Sequence, residues 1–428
     1  MIVIDARRRS FLDVAADSHF PIQNLPYGAF KRPGVGVTHL GVAIGDHIFD
    51  LTLAETEGLL ESPELQQRRL FQSPTLNTFM GAGRPVWDAV RKRVAELLDA
   101  DHAELRDNTE LRNELLVPMN DAVMCMPAEI GDYTDFYSSK YHATNVGIMF
   151  RGKENALMPN YTWVPVAYHG RASSVVLSGT EIRRPVGQSK ADDADAPTVG
   201  PCRLLDFELE MGFFIGPGSS RGEPIPVGNA MHHIFGMVLV NDWSARDIQK
   251  WEYQPLGPFL SKNFATSISP WVVPMDALEP FRCDGPEQDP APLPYLSGEK
   301  RRAYDIHLDV LLKSPDMSAA ARISRSNFRH MYWTICQQLA HHTISGCNLR
   351  PGDLLASGTL SGPTPDSYGS LLELAWRGTK PVKLSDTAER KFLQDHDTLT
   401  LTGWCEGEGF RVGFGEVSGK ILPALSVE

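Results

Sequence analysis

The chain has 428 residues, 42% of them hydrophobic and 22% charged, an ordinary globular composition at a length that predicts two domains rather than one core. A formal net charge of -12, from 41 basic and 53 acidic residues, argues against general affinity for nucleic acid or anionic membrane. Six cysteines without a CxxC pair imply neither a disulfide framework nor a zinc site, and the first residues contain no apolar run of signal-peptide or membrane-span length, so a cytoplasmic protein is expected.

Residues 34–51 alternate apolar with small or polar positions around a turn at Gly45 and Asp46, which predicts a hairpin in a small β-rich N-terminal module. Residues 85–107 switch to helical spacing, with Pro85 at the start and Trp87, Val90, Val94, Leu97 and Leu98 on one face. Pro118 and Pro127 bracket the passage to a second region, so the expected domains are residues 1–120 and 121–428.

The polar stretch of residues 132–151, DYTDFYSSKYHATNVGIMFR, predicts a loop that carries function. His142 is its centre, Asp135 offers a hard oxygen, and Tyr137 lies between them. A solvated turn with a surface histidine is the alternative. Residues 204–215, LLDFELEMGFFI, predict a strand in which Asp206, Glu208 and Glu210 share one face. That face is either solvent-exposed or, given the apolar run toward Ile215, a buried carboxylate set that calls for a cation.

The next strand is expected at residues 235–240, and it runs into Asn241 and Asp242 before a helix opens at Ser244. Asp242 at such a corner suits either a cap or a metal ligand, although Ser244 can cap the helix itself. On that helix Arg246, Gln249 and Tyr253 fall on one polar face, and Lys262 follows among small polar residues. Residues 283–301 predict an exposed loop and residues 304–312 a strand. A helix is expected from Ser326, with Phe328, Tyr332, Ile335 and Leu339 on one side and a structural His341 and His342 at its end. Residues 349–378 are short strands and turns in which Gly358, Thr359 and Glu373 are candidates for chemistry. The tail predicts a hairpin; its GFGEVSGK string is no phosphate loop, because Ile421 stands where Ser or Thr is required.

The strings DYTDFYSS, HATNVGIMFR, YHGRASSVV, DFELEM, NDWSARDIQKWEY, PLGPFLSKNF, NLRPGDLLASGT and GSLLEL, in order along residues 120–428, resemble the fumarylacetoacetase family, the fumarylacetoacetate hydrolases of tyrosine and phenylalanine catabolism. The resemblance implies a mainly β fold with some helix (α+β): an N-terminal SH3-like β-barrel, a C-terminal mixed β-sandwich roll, and assembly as a homodimer. It implies Ca²⁺ at Asp135, Glu208, Glu210 and Asp242, a second ion site for Mg²⁺, and Lys262 and Thr266 among the metal residues. It makes His142 the general base, oriented by Glu373, with Arg246, Gln249 and Lys262 around the oxyanion and the leaving carbanion. Tyr137, Arg151, Tyr168, Gln249, Tyr253 and Thr359 would hold a diketo acid substrate, and Asp206 is not a ligand. Lys140 and Tyr141 depart from the Arg-Gln of animal members.

The residue types suit that chemistry. Hydrolysis of a carbon-carbon bond in a β-diketone develops negative charge twice, first on a tetrahedral oxyanion and then on an enolate. Hard carboxylates suit Ca²⁺ or Mg²⁺, a histidine titrates where a base for water is needed, and fixed cationic donors stabilise the oxyanion. Two other classes compete: a different reaction on the same metal set (acylpyruvate hydrolysis, or decarboxylation or isomerisation of 2-oxo acids), and a non-catalytic calcium-stabilised binding protein. Neither needs His142, Lys262 and Glu373 together.

Overall fold

The computed structural model describes residues 1–65, 69–298 and 303–426. Its first unit is an antiparallel five-stranded half-barrel, in the order Leu116–Pro118, His47–Asp50, Thr38–Ile44, Tyr27–Lys31, Val123–Cys125. The expected hairpin is its centre: Ile44 pairs with His47 across a turn in which Gly45 has φ +58°. The strand begins at Thr38, later than the alternation suggested. The expected helix of residues 85–107 is two helices. Arg84–Leu97 buries Trp87, Val90, Val94 and Leu97; a separate turn, Ala103–Arg106, follows. Asp99 separates them, because its carboxylate accepts from the Asp101 N–H at 2.9 Å and gives the backbone a local alternative to the helix.

A mixed eight-stranded sheet forms the centre of the molecule. Its main path runs Ala167–His169, Tyr133–Phe136, Leu354–Ala356, Leu209–Ile215, Ile234–Asp242, Thr266–Ile268, Val175–Leu177, and Val273–Pro274 pairs beside it. One face packs Leu209, Met211 and Phe213 against Leu308, Val310, Leu399 and Leu401 of a second, five-stranded sheet. The other face packs Phe214, Val238 and Val240 into the core of the first unit. A sheet covered on both faces explains why its central strands read as continuous apolar runs. It also means that any carboxylate on them is buried.

Downstream, Ala321–Asn327 is a strand and not the start of a helix. It pairs with His307–Lys313, and the helix begins only at Ile335, behind a capping box in which Thr334 and Gln337 satisfy each other's backbone N–H. His341 and His342 lie in its last turn, as expected. The loop of residues 283–301 is less exposed than its composition suggests. Leu296 is fully buried and Gln288 forms a reciprocal amide pair with Gln337, while residues 299–301 lie outside the described part. The tail hairpin forms as Thr398–Gly407 and Phe410–Leu422. Among the described residues no helix is long and apolar enough to cross a membrane.

Leu354–Ala356 leads into Gly358, which has φ +77° and whose N–H reaches Glu210 Oε2 at 3.0 Å. A β-carbon there would lie 2.3 Å from the Phe136 carbonyl oxygen. Gly358→Ala is expected to destabilise the protein by about 2–4 kcal/mol, from a strained left-handed backbone plus a backbone clash, read as a lower midpoint of chemical unfolding.

Candidate active site

Residues 132–151 are a strand, a tight turn and a helix rather than a loop. All four residues of Tyr133–Phe136 are buried, and the strand runs parallel to Leu354–Ala356, with Asp135 beside Ala356. The chain then turns at Ser139, whose hydroxyl accepts from the His142 N–H at 3.3 Å and starts the helix Lys140–Arg151. The polar residues that suggested a loop are buried strand positions, a helix cap and positions around the helix. The DFELEM region also differs from expectation. Pairing breaks between the short strand Leu205–Asp206, which pairs with Ser244–Ala245, and Leu209–Ile215, so Asp206 leaves the face shared by Glu208 and Glu210. The helix Arg246–Glu252 has no side-chain cap; Ser244 Oγ instead donates to the Asp242 carbonyl at 3.2 Å.

Asp135, Glu208, Glu210 and Asp242 converge from these strands, each offering a carboxylate oxygen within 4.8 Å of the others, and all four are buried. Lys262 Nζ donates to Glu208 at 2.5 Å and to Asp242 at 2.6 Å, and Arg246 reaches Glu208 at 2.7 Å. Tyr168 and Thr266 donate to the two oxygens of Asp242 at 2.7 and 2.8 Å. Burial favours the neutral form of Glu208, but the Lys262 and Arg246 charges outweigh it and hold this carboxyl below the usual range. For Asp135 and Glu210 the more distant Lys262 charge does not outweigh burial. Burial, reinforced by the other carboxylates, pushes both well above the usual range. Asp135 Oδ1 and Glu210 Oε1 are moreover buried with no hydrogen-bond partner. Orphaned carboxylate oxygens facing one another are what a hard divalent cation would satisfy, so the donor set fits Ca²⁺ or Mg²⁺.

His142 Nδ1 lies 2.6 Å from Glu373 Oε2. Ser361 Oγ bridges both Glu373 oxygens at 2.9 Å, Ser370 Oγ reaches Oε2 at 2.9 Å, and Asn145 Nδ2 reaches Oε1 at 2.8 Å. Burial disfavours the Glu373 carboxylate, but its interaction with His142 and these donors outweigh it and hold its pKa below the usual range. An ionised Glu373 places the imidazole proton on Nδ1 and leaves Nε2 as the basic nitrogen. Tyr137 packs edge-on against the ring, with centroids 5.1 Å apart. His142 also contributes to the lowered pKa of Glu208, so dyad and carboxylates share one electrostatic site. A cleft of about 210 Å³ is lined by Tyr133, Tyr168, Arg171, Phe259, Lys262 and Thr266 among others, and it meets the carboxylate cluster at Tyr168, Lys262 and Thr266, which donate to Asp242.

Two family models cover nearly the whole chain: Fumarylacetoacetase N-terminal over residues 23–127, and Fumarylacetoacetate (FAA) hydrolase C-terminal over residues 133–421. Fumarylacetoacetase of Bos taurus is 60% identical over 418 residues, covering 97% of this chain and 99% of its own, and that of Homo sapiens is 60% identical over 417 residues with the same coverage. The chain belongs to the fumarylacetoacetase family. The fold agrees: a fumarylacetoacetate hydrolase from Exiguobacterium antarcticum superposes with a TM-score of 0.51 at 18% identity, covering 93% of this chain and 99% of that one.

Within this fumarylacetoacetase fold, the residues expected at the site are not equally close. Gln249 Oε1 accepts from Arg246 at 3.2 Å, and Thr359 is buried with its hydroxyl unpartnered. Tyr253 sits half-exposed at the end of its helix. Arg151 ends the helix Lys140–Arg151 and donates to the carbonyls of Asn155 and Ala156 at 3.1 and 2.6 Å. Residue-type reasoning missed Asn145, Ser361 and Ser370 around Glu373. Asn145 had a findable signal, since three residues after His142 is the same face once the segment is a helix. The serines had none.

Since the folded Asp135 carboxyl keeps its proton above the ordinary 3.8, it opposes folding increasingly as pH rises past that value in cation-free protein. Asp135→Asn is therefore expected to stabilise the stripped protein at pH 8 by about 1–3 kcal/mol and by less at pH 5. Adding Ca²⁺ should raise the melting temperature of the wild type and leave this variant unmoved, measured by thermal scanning of chelator-treated samples.

Proposed function

We propose that this protein hydrolyses 4-fumarylacetoacetate to fumarate and acetoacetate, with the His142–Glu373 dyad activating water beside a divalent cation. The observation that carries the reading is the near full-length match to fumarylacetoacetases at 60% identity. The 2.6 Å contact between His142 and Glu373, next to the carboxylate cluster, supports the assignment of roles.

Asp135, Glu208, Glu210 and Asp242 would hold Ca²⁺, and Lys262 and Thr266, which donate to Asp242 at 2.6 and 2.8 Å, would belong to a second site for Mg²⁺. Bound there, a divalent cation supplies Lewis-acid charge to the oxygens of a 1,3-diketone. The protein groups do the rest. His142 Nε2 takes a proton from water as its oxygen bonds to the carbonyl carbon next to the fumaryl double bond. The carbonyl π pair moves to oxygen, where Arg246, Gln249 and Lys262 are the donors in reach; such a donor contributes about 2–4 kcal/mol. The tetrahedral centre then re-forms its C=O, the bond to the methylene carbon breaks, and its electron pair becomes the enolate of acetoacetate. The imidazolium returns the proton to that carbon. Glu373 remains ionised throughout, since four side chains already donate to it. Tyr137, Arg151, Tyr168, Tyr253 and Thr359 orient the rest of the diketo acid. The molecule works as a cytoplasmic homodimer, with residues 1–120 and 121–428 as its two domains.

His142→Phe is expected to lower turnover by roughly 10³-fold or more while Ca²⁺ affinity, titrated calorimetrically, stays within a few-fold of wild type. The assay follows the disappearance of diketone absorbance with stripped and Ca²⁺-reconstituted enzyme. Turnover retained in that variant would remove His142 as the base, and a wild type inert toward this diketo acid would overturn the function.

A further inference from the structure

The mechanism above makes no use of Asp206, yet this carboxylate is fully buried and saturated with donors. Arg246 Nε donates to Oδ2 at 2.9 Å. The backbone N–H groups of Leu371 and Leu372 donate to Oδ1 and Oδ2 at 2.7 and 3.0 Å, and its neighbour Phe207 N–H adds a fourth bond at 2.9 Å. Leu371 and Leu372 open the short helix Leu371–Leu374, and the next residue on it is Glu373.

We infer that Asp206 is a positioning residue that ties the two halves of the site together: one carboxylate fixes the Arg246 guanidinium beside Glu208 and, at once, the helix that presents Glu373 to His142. The inference rests on the roles proposed above for His142, Glu373 and Arg246. The geometry distinguishes it from a simple buried ion pair. Arg246 alone would be served by Glu208 at 2.7 Å and Gln249 at 3.2 Å, and the helix has its own cap in Ser370, whose hydroxyl accepts from the Glu373 N–H at 3.3 Å. Asp206 makes both connections a second time, through the same two oxygens. Arg246 Nε and the Leu372 N–H share Oδ2 while the Leu371 and Phe207 N–H groups share Oδ1, so the donors need an acceptor at both positions, which a carboxylate offers and an amide does not. The 204–210 segment breaks its strand pairing just after Asp206, and that break turns this side chain away from the cluster formed by Glu208 and Glu210.

The test is Asp206→Asn in the full-length Ca²⁺-loaded protein. One amide oxygen can serve one of the donors, while the amide NH₂ faces the other. The expected result is a fall in kcat of about 10- to 100-fold, with KM and Ca²⁺ affinity within about twofold of wild type, as for a reacting group displaced without loss of ligand binding. The downfield proton resonance of the His142–Glu373 hydrogen bond should shift or vanish in the folded variant. A purely structural residue would lower the melting temperature and leave both kcat and that resonance in place, which would overturn the inference. So would a fall in activity that tracks loss of Ca²⁺. Asp206→Glu, which keeps the charge and moves the oxygens by one methylene, serves the same test if the Asn variant does not fold; failure of both to fold would also count against a positioning role. A wild-type control without turnover would instead indict the proposed reaction, so the two failures are separable.

Discussion

Four buried carboxylates pressed together in and beside the central sheet are the constraint around which the rest of the molecule is arranged. Like charges in a low-dielectric interior repel strongly, and two cationic side chains, one of them shared with a fifth carboxylate, leave the set under-neutralised. Glu208, flanked by Lys262 and Arg246, is stable as an anion. Asp135 and Glu210, which face each other with unpartnered oxygens, are not. Such an arrangement costs stability when all four are ionised, a cost that protonation or a bound cation would relieve, and the two-sided burial of the central sheet keeps bulk water from relieving it instead.

The same burial shapes the dyad. Glu373 would hold a proton in an apolar pocket, but four side chains donate to it, and they come from three places in the chain: the helix bearing His142 and Asn145, the turn at Ser361, and its own cap at Ser370. The result is a carboxylate that stays charged and an imidazole with a fixed tautomer and a fixed ring plane. The electrostatic link between His142 and Glu208 means that the dyad and the carboxylate cluster are not insulated from each other.

Much of this was legible before any fold was known, because some signals are local. The hairpin around Gly45 and the tail hairpin depend on turn chemistry and alternation within a few residues. Others were misread for the same reason. Residues 132–151 look like a loop because a buried strand carrying Thr134 and Asp135 and a helix whose buried positions include His142 have no apolar periodicity to announce them. The helix expected from Ser326 came from a real spacing of apolar residues, but Ala321–Asn327 had a strand partner in His307–Lys313, and sheet pairing overrode the pattern.

By itself the amino-acid sequence determined the chemistry available: acidic residues of the hard-oxygen type, a histidine and a glutamate, and a set of cationic donors, recognisable because their order along the chain is that of a family. Tertiary structure alone decided which of them meet. Asp135 and Glu210 become neighbours only because Leu354–Ala356 is inserted between their strands, and His142 meets Glu373 across 231 positions of chain. Asp206 and Glu208, alternate residues that period-two reasoning puts on one face, part company because strand pairing breaks between them. No local pattern encodes such a break, since it is set by partners, Ser244 and Ala245 on one side and Asn241 on the other, that lie more than thirty residues away.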